Sequence, residues 1–90
     1  QIEIMGKMEN LTRLNLQKNR IKASDLTSLS TLKHLEVLNL HSTQVNKEVF
    51  ELIKNIPSLK KVFLWNTKVR LGDISKNRAE FPTTELVFDL

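Results

Sequence analysis

Apolar residues return along this chain at a step of 24. Leu11, Leu35 and Leu59 mark it first, followed by Leu14, Leu38 and Val62. Leu16, Leu40 and Leu64 keep the same phase, and so do Ile21, Val45 and Val69. Between them a polar position recurs as Asn19, Thr43 and Thr67. The unit is L-x-x-L-x-L-x-x-(N/T)-x-(I/V), read as LTRLNLQKNRI, LEVLNLHSTQV and LKKVFLWNTKV. A fourth segment, TTELVFDL, places Leu86 and Phe88 in step. Alternating apolar residues such as Leu14 and Leu16 predict short strands with one buried face. A lone strand cannot bury that face, whereas parallel strands stacked side by side, each with a return segment behind it, form a continuous core. Asn19 is expected to hydrogen-bond backbone groups where the chain leaves the strand, and Thr43 and Thr67 carry a hydroxyl suited to part of that task.

The return segments repeat as well. Leu26, Phe50 and Ile74 are in step, as are Leu29 with Ile53 and Leu32 with Ile56. Offsets of three predict helices facing the strands. Ser24 or Asp25 is the expected cap of the first and Asn46 of the second, with Pro57 at the exit toward the third strand. The third return segment departs from the pattern, because Asn77 and Glu80 replace the apolar residues expected there. Ile74, Arg78 and Phe81 offer a different helical stripe, and LGDISKNRAEFPTTELVFDL reads as a C-terminal cap. At the other end, Ile2, Met5 and Met8 occupy the apolar phase of a return segment. The expectation is a segment of a longer protein, opening inside a repeat with further repeats or another domain before it.

The three units resemble the leucine-rich repeat family over nearly the whole chain. The resemblance implies an α/β fold, a right-handed β-α solenoid shaped as a short horseshoe. The parallel sheet would line the concave side and the helices the convex side. It implies one domain over 1–90: a partial repeat at 1–10, repeats at 11–34, 35–58 and 59–82, and a terminal strand at 83–90.

If the fourth and sixth positions of each unit enter the core, the third, fifth and seventh lie on the opposite face, which is the concave one in this family. That face would carry Arg13, Asn15 and Gln17, then Val37, Asn39 and His41, then Lys61, Phe63 and Trp65, and finally Glu85, Val87 and Asp89. Strands about 4.8 Å apart would make neighbours of His41, Trp65 and Asp89, with Phe63 and Val87 alongside. Trp65 is the single tryptophan, and exposed aromatics with a polar rim mark contact surfaces. The candidate partner-binding residues are therefore Trp65, Phe63, His41, Lys61, Asn39, Val37, Asp89 and Val87. The competing reading is that these aromatics only pair across strands and support the sheet.

Lys18, Arg20, Lys22, Lys68 and Arg70 form a basic rim where the strands end. The net charge is +4 and the pI about 9.6. Without interleaved aromatics or a dense basic cluster, this rim reads as a solvated edge, with an anionic partner or lipid headgroup as the alternative and a nucleic-acid site not expected. Apolar and charged contents of 40% and 27% are ordinary for a globular chain. No apolar run reaches the roughly 20 residues of a membrane span. The absence of cysteine removes disulfides and thiolate chemistry from these residues.

Catalytic and metal chemistry are not expected. His34 and His41 are the two histidines, and Gly6 and Gly72 the two glycines, so no phosphate-cradling loop is present. No serine has a nucleophile-elbow context, and no His, Asp and Glu set has metal-ligand spacing. The chain is expected to be no enzyme and to hold no cofactor in this segment.

Leu59, Lys60, Lys61, Leu64, Trp65, Thr67, Lys68 and Val69 also resemble a bacterial subgroup of these repeats. It closes the C-terminus of membrane-associated, cytochrome c-like proteins of planctomycetes and bacteroidetes. This implies a cell-envelope interaction module on a larger protein, periplasmic or membrane-associated; without the subgroup, the cytoplasm is the expected setting. C-x-x-C-H is absent, so no haem role transfers to these residues. The expected function is a non-catalytic protein–protein interaction module. The expected partner is a protein or another domain of the same chain, with membrane contact only through the parent. The alternative is a purely structural terminal segment packed on its own parent chain.

Overall fold

The computed structural model of this chain describes residues 7–70, 72, 73, 75 and 78–87, with Arg78 described by its backbone alone. Its element order is β1 (Arg13–Asn15), η1, a 3-10 helix (Ala23–Thr31), β2 (Val37–Asn39), α1 (Val49–Ile53), β3 (Lys61–Phe63), η2, a second 3-10 helix (Arg78–Glu80), and β4 (Glu85–Val87). The fold class is α/β. The strands form one parallel sheet in the order β1-β2-β3-β4, so chain neighbours are sheet neighbours. Among the described residues, no helix is long and apolar enough to cross a membrane.

The 24-residue step is the register of the sheet. Leu14 pairs with Leu38, Leu38 with Val62 and Val62 with Leu86. Pairing continues past the strands: the Leu16 and Lys18 N–H groups donate to the carbonyls of Asn39 and His41, both at 2.9 Å. One unit on, Leu40 and Ser42 donate to Phe63 and Trp65 at 2.9 and 3.0 Å. A one-residue slip would turn every leucine to the opposite face, so the apolar pattern enforces this register.

Each unit leaves its strand through a left-handed residue. Lys18, Ser42 and Asn66 have φ of 63°, 58° and 57°. The next side chain then turns back to the strand end. Asn19 donates through Nδ2 to the Leu16 carbonyl at 3.0 Å. Thr43 and Thr67 donate their hydroxyls to Leu40 and Leu64, both at 2.7 Å. Asparagine and threonine therefore perform one task, satisfying a carbonyl that the turn would strand.

The return segments supply the other wall of a single core. Leu26, Leu29, Leu32, Phe50, Ile53 and Ile56 are buried with the strand residues Leu14, Leu16, Leu38, Leu40, Val62 and Leu64. Both of these segments are helical, as their three-residue offsets predict, but only the second is an α-helix. The first is a 3-10 helix rather than an α-helix. A rise of three residues per turn aligns side chains at i and i+3, which suits Leu26, Leu29 and Leu32. The intervening residues are hydroxylic and bond backward to their own backbone: Ser30 donates to Thr27 at 3.2 Å and Thr31 to Ser28 at 3.0 Å. Such bonds compete with α-helical pairing.

The caps also correct the sequence reading in part. Ser24 lies within the first turn, while Asp25 acts from inside the helix: its Oδ2 accepts the Lys22 N–H at 2.8 Å. One unit later that inner position is Val49 and the helix cap is Glu48 rather than Asn46, which lies two residues before it and accepts the Glu48 N–H at 3.0 Å. In the third unit the first arrangement returns, with the Arg70 N–H donating to Asp73 at 3.1 Å. A unit thus carries its acceptor either at the position shared by Lys22, Asn46 and Arg70 or three residues later.

At the C-terminal side, Glu80 lies where an apolar residue is expected, but it is exposed and pairs with Lys54 at 2.6 Å. Phe81, one residue later, enters the core instead, its ring centroid 6.1 Å from that of Phe50. Met8 departs from the apolar phase assigned to it, being 52% exposed. The expectations for Ile2, Met5, Ile74, Asn77, Phe88 and Asp89 lie outside the described residues.

Candidate aromatic contact surface

Strand pleating places the third and fifth residues of each unit on the face opposite the core, and the seventh extends that row to the strand end. Val37, Asn39, His41, Lys61, Phe63, Trp65 and Val87 are all half-buried there, while Arg13, Asn15 and Glu85 are exposed. Seven of the eight candidate partner-binding residues therefore lie on this face, and the eighth, Asp89, is outside the described residues.

The face has a tight aromatic centre. The rings of His41 and Trp65 stack with centroids 4.1 Å apart and planes 3° from parallel. Their backbones are joined through the Ser42-to-Trp65 hydrogen bond, so the 24-residue register brings the rings together. Phe63 lies opposite Val87 in the sheet. Lys61 holds its ammonium 5.4 Å from the Phe63 ring centroid and 3.8 Å from Glu85. Lys61 is thus engaged within the face rather than free above it.

The first two strands build the same positions differently. Asn15 accepts the N–H of Gln17 through its Oδ1 at 3.1 Å, and Asn39 accepts that of His41 at 3.0 Å. Asn39 also donates to the Gln17 side chain at 3.3 Å. In β3 the corresponding residue is Phe63, which brings no acceptor. The third unit has exchanged a local backbone cap for aromatic surface.

Ser42 and Asn66 were not legible as part of this surface. Asn66 donates through Nδ2 to Ser42 Oγ at 2.9 Å, and Ser42 Oγ lies 2.8 Å from His41 Nδ1. Their signal in the sequence is slight: a polar residue in each unit just before the Asn/Thr position. What makes them neighbours of the rings is the left-handed backbone at both.

Beside the aromatic centre, Lys18, Arg20, Lys22, Lys68 and Arg70 are exposed at the ends of the strands. Among the described residues, the side-chain ion pairs involve Lys54, Lys60 and Lys61, not these five. Lys22, Gln44, Asn46 and Lys68 border an open polar groove of about 310 Å³. No group of three or more His, Asp or Glu side chains suited to a metal ion occurs among the described residues. No model of a known protein family matches the chain, and no curated protein matches it.

Proposed function

We propose that this chain is a non-catalytic protein-interaction module. It would be a short leucine-rich-repeat-type solenoid that uses the concave face of its parallel sheet. The exchange of asparagine for Phe63 carries the reading. Two units place a backbone-capping asparagine at that position, and the third replaces it with an aromatic beside a stacked, half-exposed Trp65. A residue choice that gives up a local bond while leaving its ring only half-buried signals function more than stability. The 24-residue register, the left-handed residue in each unit and the Asn/Thr bond to the strand end support the repeat architecture. The sequence resemblance is the basis for attaching the module to a larger bacterial envelope protein.

Trp65→Ala provides the test. The variant keeps its circular dichroism and loses capture of the native partner by the full-length protein, because a central tryptophan typically contributes about 2 kcal/mol or more to binding. Undiminished capture overturns the proposal. If Trp65 is shielded from acrylamide in the full-length protein without partner but quenched in the isolated chain, the face packs on its own parent instead.

A further inference from the structure

The arrangement around His41 defines which edge of its ring a partner meets. Asn66 gives an amide hydrogen to Ser42 Oγ at 2.9 Å and so occupies one of the hydroxyl lone pairs. The Ser42 hydroxyl hydrogen remains available to His41 Nδ1, 2.8 Å away. With Nδ1 accepting, the neutral ring carries its hydrogen on Nε2. One flat side of the same ring is held against Trp65 at 4.1 Å. Two constraints therefore act on one half-buried side chain, on its plane and on its rotation, and donation by the Ser42 hydroxyl would fix its tautomer as well.

Resting on the interaction reading above, we infer that Ser42 and Asn66 are positioning residues that present His41 Nε2–H as a hydrogen-bond donor beside the Trp65 platform. We further infer that the segment received there is an acidic stretch of protein. A donor edge calls for an acceptor, and a carboxylate is the strongest one a protein offers. The surrounding charge agrees, because Lys18, Arg20 and Lys68 are exposed at the same end of the strands. Lys18 is tied to this site through its N–H, which donates to the His41 carbonyl at 2.9 Å. An apolar side chain of the partner would lie on Trp65 and Phe63, with flanking carboxylates toward His41 and the basic edge. Positive charge at a contact surface accelerates and selects acidic partners.

The experiment has two arms on the intact chain. Long-range nitrogen–proton spectra, in mildly alkaline buffer, read the His41 tautomer and the ring-current shift that Trp65 imposes. The expected result is one Nε2–H tautomer with strongly shifted ring protons. Ser42→Ala, and Asn66→Asp, which keeps size but loses the donor, give mixed tautomers and smaller shifts while the amide spectrum stays folded. If both variants leave His41 unchanged, the positioning role is overturned.

The second arm follows Trp65 fluorescence against a blocked Glu-Phe-Glu peptide, its Gln-Phe-Gln counterpart and oligothymidylate. The glutamate peptide should bind saturably and about tenfold more tightly than the glutamine one, and more weakly to the Ser42 variant. Equal affinity for the two peptides, or no binding of either, overturns the acidic partner. Tighter binding of oligothymidylate overturns it in favour of nucleic acid. Amide shifts on Trp65→Ala separate the two levels. Unweakened peptide binding by that variant refutes the contact surface itself. Binding lost in Trp65→Ala but retained in the Ser42 and Asn66 variants refutes the positioning role alone.

Discussion

Thr43 donates its hydroxyl to the carbonyl oxygen of Leu40 at 2.7 Å with only 5% of its surface exposed. It does from a short side chain what Asn19 does from a longer one. Thr43→Val keeps the shape and removes the donor, leaving a buried carbonyl without its partner. The expected cost is about 1–3 kcal/mol in urea unfolding. Thr67→Val should fall at the low end, because Thr67 is itself only half-buried, so that water more readily replaces its hydroxyl's bonds to the Leu64 carbonyl and from the Val69 N–H. Equal costs would show that burial does not set the difference.

Lys18 sits in the left-handed region at φ 63° with an exposed side chain. A non-glycine residue there costs roughly 1–2 kcal/mol, while glycine loses about 0.5–1 kcal/mol of additional chain entropy on folding. Lys18→Gly should therefore stabilise the chain by about 0.5 kcal/mol. Lys18→Val should destabilise it, because a β-branched residue tolerates this backbone poorly. Thermal melts of the pair check both signs.

Phe50 is almost wholly buried and meets Phe81, which retains 8% exposure. Phe50→Ala should cost about 3–5 kcal/mol. Domains of this kind have about 5–15 kcal/mol in total, so the variant should melt far lower or fail to fold. Phe81→Ala should cost less, since the cavity opens toward solvent. A larger loss at Phe81 in denaturant titrations would contradict the assignment of Phe50 as the central ring.

The hydrogen bond from Lys54 to Glu80 at 2.6 Å holds the Lys54 ammonium above its ordinary pKa of 10.5, with Glu51 assisting and desolvation opposing. A pKa raised by folding means that the folded chain holds this proton more tightly. The stabilisation is thus fully present below the unfolded value near 10.5 and is lost as pH rises through the higher folded value. Lys54→Met should remove that part of the alkaline stability loss. Melting curves measured from neutral to strongly alkaline pH test this, and identical alkaline slopes for the two proteins would refute it.

Phe81 and the first return helix show where a one-dimensional reading stops. The first three strand units were legible because four apolar positions recur at one step, and a one-residue slip would expose them. The third return segment was legible only in part: Phe81, a member of the alternative stripe, enters the core, while Glu80 holds the repeat phase from outside it. Nothing local reveals that Lys54, far earlier in the chain, supplies the partner that lets Glu80 remain outside. The 3-10 geometry of Ala23–Thr31 had a signal in the three-residue spacing of its leucines, but that spacing also fits an α-helix over a short run. Backward bonds from Ser30 and Thr31 help to decide between them.

The repeat in the chain determined the register of the sheet, its buried face and the opposite face on which Phe63 and Trp65 stand. Those properties follow from apolar periodicity alone, because a strand has only two faces and the core accepts one. Tertiary structure decided what the displayed face became. Whether His41 lies flat on Trp65, whether Lys61 is free or paired with Glu85, and whether Ser42 and Asn66 reach the ring depend on side-chain rotation and on neighbours 24 residues away. Periodicity places a residue on a surface; packing across strands gives that surface its donors, its planes and its charge.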